Sequence, residues 1–357
     1  MKTGDLFRAT LSPSKRYLSV GQIGENGALT IWDLETGYLV SSRSEHFTLI
    51  STFINDRYLL VASQIGVKLW DVIENKQFIL SLGIGIPTFL ELSPDRKHLI
   101  INNMNGEVTI YEVLKIKRIS DHHAPFQLKR KHIVTNLKAQ MGRIIDNKTL
   151  LLGNDDGELY LYDIEQRKVL SSLSSILSSE LPIKKQNNFE LEIMRTLIVR
   201  RQIAISEDGQ RYAVLINKQL ALVERKDGKL NLIPTIAIRE KSINSVMFTH
   251  EHLIVLTDTQ LLYFAVDGEL VQKFDLPPKL KKAKWMQKLD ESSVVLIGEE
   301  FLSIYDLERR TVLSQHLAKI NSPFKSNTRL IDANNLLFYT RWLLIQNQPA
   351  LLGQVET

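Results

Sequence analysis

Apolar and polar residues alternate in short runs along most of the chain, most clearly in residues 27–40, GALTIWDLETGYLV. Leu29 and Ile31 alternate with Thr30 ahead of Trp32-Asp33, the period-two pattern of a strand. Asn26-Gly27 before it and Glu35-Thr36-Gly37 after it are hairpin-turn residues, so the stretch predicts turn, strand, turn, strand. Related stretches begin at Gly66, Gly106, Gly157, Gln219, Gln260 and Glu300. Aligned on the residue near the end of each third strand (Trp32, Trp70, Tyr111, Tyr162, Val223, Tyr263 and Tyr305), they recur about every 40 residues, the length of a four-stranded propeller blade.

The first half of several units is equally regular. ATLSPSKRYLSVG from Ala9, LELSPDRKHLIIN from Leu90 and IAISEDGQRYAVLIN from Ile203 each read as strand, turn, strand. Proline presets φ at such a corner, and the Ser and Asp side chains can bond nearby backbone amides. After Tyr305, Thr311 to Leu317 completes a unit, and four more short strand candidates follow, the third around Trp342. The expectation is an all-β chain: a single β-propeller domain over residues 1–357, of four-stranded antiparallel blades, eight favoured and seven the alternative. Two units are long, and their excess, residues 120–132 and 171–190, is placed in connectors from a fourth strand to the next first strand. Those connectors share a face with the turns between second and third strands. Leu170, Leu173, Ile176, Leu177 and Leu181 have the spacing of a short amphipathic helix before Pro182.

TIWDLETG, KLWDVIEN, LYDIEQRK and SIYDLERR resemble WD40 repeats, and the resemblance covers nearly the whole chain. It implies a ring of blades in which Trp32, Asp33, Trp70, Asp71, Tyr162, Asp163, Tyr305 and Asp306 are structural, with Trp32 and Trp70 packed between adjacent blades. In that family a turn aspartate, a histidine, a Ser or Thr and the Trp form a hydrogen-bonded set. Here Asp155 or Asp156 matches the turn aspartate, His46 and Ser63 with Trp70 match in part, and the Gly-His dipeptide is missing. No subfamily's binding residues carry over.

Composition narrows the chemistry. With 44% hydrophobic and 24% charged residues the chain is globular, and 45 Lys and Arg against 40 Asp and Glu give only a mild basic bias. The absence of cysteine removes disulfides, thiolate metal sites and thiol nucleophiles. No stretch approaches the roughly 18 apolar residues of a membrane span, and the first residues lack an apolar signal core. The default expectation is cytoplasmic, or periplasmic and envelope-associated if a leader has been removed.

Candidate sites are few. Asp121, His122, His123 and His132 form the densest set of metal-ligand types, but adjacent histidines in a polar loop are usually solvated, and no metal is expected. No nucleophile elbow or phosphate-cradling loop occurs, and LGIGIP from Leu82 reads as a blade connector. No cofactor is expected. Lys129, Arg130 and Lys131, Lys184 and Lys185, and Lys281, Lys282 and Lys284 read either as solvated loop charges or as a basic rim. With Phe126, Leu128 and Leu181 as apolar anchors they are the candidate partner-binding residues, suited to a protein with an acidic surface. The expected function is a non-enzymatic protein-interaction scaffold. The alternative, prompted by the single D-x-x-T-G of Asp33 to Gly37, is an eight-bladed quinoprotein-like propeller, catalytically silent and acting in envelope assembly, or less readily an enzyme. Nucleic-acid binding ranks third, because no aromatics interleave with the lysines.

Overall fold

The period-two runs become seven four-stranded antiparallel sheets in the computed structural model. It describes residues 6–22, 28–44, 50–63, 66–116, 123–154, 156–174, 201–216, 219–233, 242–298 and 301–317. Blade one is β1 (Leu6–Leu11), β2 (Tyr17–Gln22), β3 (Ala28–Asp33) and β4 (Leu39–Ser44); blade two is β5 (Ile50–Phe53), β6 (Tyr58–Ala62), β7 (Gly66–Asp71) and β8 (Lys76–Leu82). Blade three is β9 (Pro87–Leu92), β10 (His98–Asn103), β11 (Val108–Lys115) and β12 (Phe126–Val134); blade four is β13 (Met141–Ile144), β14 (Thr149–Gly153), β15 (Leu159–Asp163) and β16 (Lys168–Leu173). Blade five is β17 (Arg201–Ile205), β18 (Arg211–Ile216), β19 (Gln219–Lys226) and β20 (Lys229–Ile233); blade six is β21 (Ile243–Phe248), β22 (His252–Thr257), β23 (Gln260–Ala265) and β24 (Leu270–Asp275). Blade seven is β25 (Trp285–Lys288), β26 (Ser293–Ile297), β27 (Phe301–Asp306) and β28 (Thr311–Leu317).

Each blade pairs its strands in chain order, so the first strand is innermost and the fourth outermost. The first-to-second and third-to-fourth turns therefore lie on one face of the disc, and the second-to-third turns and blade connectors on the other. Strand β3 is buried at every position, because adjacent blades cover both faces of its sheet, whereas β24 is exposed at nearly every position. The core is accordingly divided into seams. Each of seven apolar clusters joins two neighbouring blades, as where Leu29 and Ile31 of blade one meet Leu59, Val61 and Trp70 of blade two. Trp32 and Trp70 are wholly buried in such seams, as expected from the sequence.

The blade count corrects the expectation of eight. Trp32, Leu18 and Val20 of blade one pack directly on Val295, Ile297 and Leu302 of blade seven, and β1 lies against β25. The apolar faces that an eighth blade would need are already covered by each other. The strand candidates beyond Leu317 lie outside the described residues. The predicted helix is corrected in part: Leu170 and Leu173 belong to β16, and Ile176, Leu177 and Leu181 lie outside the described residues.

Polar side chains hold the turns on the first-to-second and third-to-fourth face. Asp33 Oδ1 accepts the Glu35 and Thr36 amides at 2.9 and 3.1 Å, and its Oδ2 accepts Arg16 Nε and Nη2 at 3.0 and 2.9 Å. Asp71 repeats this with the Ile73 and Glu74 amides and Arg57, while Asp163 and Asp306 cap the same turn in blades four and seven. In the first-to-second turns, Ser12, Ser93 and Ser206 accept the amides of Tyr17, His98 and Arg211. Gly209 takes φ of 67° in its turn at little cost, whereas Lys15 and Arg96 occupy the same left-handed position at 64° and 60°. Neighbouring turns are joined as well, by Ser14 N–H to Asp56 at 3.1 Å and Asp95 N–H to Asn147 at 2.9 Å.

The third-to-fourth strand pairing shifts register in every blade but the fifth. The unpaired extra residues on the outer strands are Val40, Leu80, Lys131, Leu170, Val271 and Leu313, which are β-bulges.

Two expectations follow. Trp32→Ala and Trp70→Ala should each destabilise by about 3 to 5 kcal/mol, the range for emptying a buried aromatic site. Only the first should also speed amide exchange in both β1–β4 and β25–β28; exchange confined to blade one would show that Trp32 does not close the ring. The second concerns acid. Burial pushes the Asp95 carboxyl up, but hydrogen bonds from Ser93 and the Lys97 amide outweigh this and hold it below the usual range. Bonds from Ser206 and the Gln210 amide lower Asp208 in the same way. A depressed carboxylate stabilises the fold above its unfolded value of about 3.9, and that stability is lost as pH falls through the lower folded value. Combined Asp95→Asn and Asp208→Asn should therefore flatten the fall of Tm with acidification; an unchanged slope would assign acid lability elsewhere.

Candidate functional site

The innermost strands leave a channel on the disc axis, with a cavity of about 220 Å³ bounded by β1, β5, β9, β13, β17 and β25. Polar side chains on the first and second strands serve the seams around it. Ser19 and Ser51 hydroxyls bond at 2.7 Å between blades one and two, and Asn102 Nδ2 donates to Ala139 O at 2.6 Å between blades three and four. Gln202 accepts from Ser245 Oγ at 3.1 Å and the Val246 amide at 3.0 Å, and donates to Val246 O at 2.9 Å, tying blade five to blade six.

The channel also carries three charges, from blades one, three and four. Glu91 Oε2 accepts the Ile144 amide at 2.8 Å, and Glu91 Oε1 lies 3.1 Å from Arg143 Nε. The Arg8 guanidinium stands 5.5 Å from the centre of the Phe89 ring. Burial pushes Arg8 down to about 10, with Glu91 opposing the shift and Arg143 reinforcing it. Sequence reasoning missed all three residues. Their signal is a charged side chain inside a first strand that is otherwise apolar or small, in FRATL, TFLEL and MGRI.

The predicted partner-binding residues do not gather on one face. Residues 126–134 form β12, the outer strand of blade three, so residues 123–132 lie in a third-to-fourth hairpin and its strand rather than in a blade connector, while 120–122 lie outside the described residues. That hairpin opens on the face opposite to the one expected. Phe126 is no exposed anchor: it is buried against Tyr58, with ring centres 5.5 Å apart, and Leu128 packs beside it. Lys129, Arg130 and Lys131 are exposed on the rim, with Lys131 Nζ 3.9 Å from Glu112. Lys281 and Lys282 are exposed in the connector from blade six to blade seven, across the disc from β12, and Lys284 pairs with Asp258 at 3.5 Å. Leu181, Lys184 and Lys185 lie outside the described residues.

Other expectations resolve into architecture. The D-x-x-T-G of Asp33 to Gly37 is the capped turn between β3 and β4, with Gly37 at φ of 78°; with seven blades instead of eight, the quinoprotein-like reading loses its basis. The second-to-third turns of blades three and four are held by Asn103 and Asn154, each accepting two backbone amides, rather than by Asp156; Asp155 lies outside the described residues. The overlooked signal is a repeated N-x-x-G. Gly106 there takes φ of 80°, and a Cβ would come within 2.6 Å of Lys138 Cα. Trp70 Nε1 donates to Asn75 Oδ1 at 3.2 Å and Trp32 Nε1 to Thr30 Oγ1 at 3.0 Å. Among the described residues no group of three His, Asp or Glu is placed to hold a metal, and no helix is long and apolar enough to cross a membrane.

Solved structures of the same architecture are numerous, although no family model and no curated protein sequence matches the chain. The β-propeller domain of Cps50 (Swd1) from Myceliophteria thermophila aligns with a TM-score of 0.60 at 17% identity, covering 86% of this chain and 98% of that one. Saccharomyces cerevisiae Sqt1 aligns at 0.61 with 12% identity, over 88% and 86%. Hsv2 from Kluyvelomyces marxianus aligns at 0.58 with 10% identity, over 89% and 100%. At such identities the likeness is one of fold, and it agrees with the seven sheets and the seven seams: the chain is a seven-bladed β-propeller.

Proposed function

We propose that the chain is a non-enzymatic protein-interaction scaffold whose partner carries an acidic surface. The observation that supports this reading is the rim of blade three. Lys129, Arg130 and Lys131 are exposed in succession on β12, and the bulge at Lys131 leaves that residue unpaired. Ile133 on the same strand is 38% exposed, and Ile79 on the neighbouring outer strand β8 is 64% exposed. Apolar side chains beside a cationic row suit a protein interface with a dry centre and a charged margin. The seam-packed disc beneath supplies rigidity, so the surface is presented without an ordering cost on binding. The lysines of the connector between blades six and seven belong to a separate surface in this reading.

The test is capture from the native host followed by kinetics. A partner retained by the wild-type chain should be lost by the folded Lys129→Glu, Arg130→Glu, Lys131→Glu triple variant. Its association rate with wild type should fall with added salt more than its dissociation rate rises, because margin charges act mainly on encounter. Ile79→Ser should instead speed dissociation. A partner bound equally by wild type, the triple variant and Ile79→Ser would move the interface away from blade three.

A further inference from the structure

The charges in the channel do not balance. Arg8 and Arg143 face a single carboxylate, Glu91, and both of its oxygens are already engaged, by the Ile144 amide and by Arg143. Arg8 makes no hydrogen bond or ion pair among the described residues, and its guanidinium stands over the Phe89 ring. The Arg8 side chain is half-buried and keeps its charge at neutral pH, so its fork is open in the channel to an acceptor entering from solvent. Five N–H donors in a planar fork thus stand in a cavity of about 220 Å³ without an acceptor. Arg143 is near enough to repel Arg8, and it offers terminal nitrogens with no hydrogen bond to the described residues. The Arg143 side chain is 39% exposed, so the cavity communicates with solvent.

We infer that the central channel is a binding site for one small oxyanion, held by the Arg8 fork with Arg143 as the second cation and Glu91 fixing the orientation of Arg143. Its chemistry is that of carboxylate, phosphate or sulfate, in which two oxygens can accept from a single guanidinium. The excess of one positive charge over Glu91 suits a single anion, and the cavity volume suits a group of a few heavy atoms rather than a peptide. This site is separate from the protein-binding reading of the rim and stands whether or not that reading holds.

The experiment uses the full chain in buffers of equal ionic strength. Thermal unfolding is followed with increasing acetate, inorganic phosphate or sulfate, each against chloride, and affinity for the responding anion is then measured by calorimetry. Wild type should gain stability in a saturable way with at least one of the three, and the responding arm separates a carboxylate from a tetrahedral oxyanion. Arg8→Gln should fold in chloride and respond to none, since the orphan charge is gone. Arg8→Lys and Arg143→Gln, which alter the site less, should weaken binding at least about tenfold, the effect of losing one charge-assisted contact. Lys129→Gln on the rim should behave as wild type. The proposal is overturned if none of the three anions raises wild-type stability above chloride. It is equally overturned if Arg8→Gln, or Arg8→Lys and Arg143→Gln should the former not fold, binds the anion as tightly as wild type.

Discussion

Everything in this molecule depends on apolar packing between blades, and most of all on the seam between the first and the last. Six of the seven seams join blades that follow one another in the chain, so each pair is held together by chain continuity. The seventh joins residues near position 9 to residues near position 297, and among the described residues no sheet mixes strands from the two ends. Closure over that separation costs about 2 kcal/mol more than closure over one repeat, on the logarithmic scaling of loop entropy. Trp32, Leu18 and Val20 against Val295, Ile297 and Leu302 must supply it by burial alone, and the fully buried Trp32 makes the largest single contribution.

Polar groups set the geometry within which those seams form. Capping aspartates at Asp33, Asp71, Asp163 and Asp306 fix the turn after the third strand in four blades, and bonds such as Ser14 to Asp56 fix the angle between neighbours. Around the channel, Ser19 with Ser51 and Gln202 with Ser245 link neighbouring blades through side chains that would otherwise be unsatisfied. Arg8 stands apart from these linked pairs, as a cation that bonds no neighbouring blade where the innermost strands converge.

Legibility in the sequence followed locality. Third strands, the Trp-Asp turns and the Ser-Pro turns were readable because each is written in a few consecutive residues. The number of blades was not, since counting repeats says nothing about which two apolar faces meet to close a ring. The outer strand β12 was misread as connector because an outermost strand is wet on both faces: FQLKRKHIV has the composition of a loop. For the same reason Phe126 was taken as exposed, although its contact with Tyr58 comes from another blade. The channel charges stayed hidden because Arg8, Glu91 and Arg143 are distant in sequence and meet only after closure.

The bulges on the outer strands bear on how this disc coexists with its own copies. A propeller exposes one unpaired strand edge per blade, and a straight edge is a template on which another chain can add a strand. In six blades the extra residue interrupts that template within the strand, although it leaves apolar side chains such as Val271 and Leu313 facing outward. Blade five lacks the interruption, and there β20 is covered: it lies against β16 of blade four, and the Leu230 amide donates to Ser171 Oγ at 3.0 Å. The perimeter is thus guarded in two ways against edge-to-edge polymerisation, and any partner that docks there must recognise side chains instead of extending a sheet.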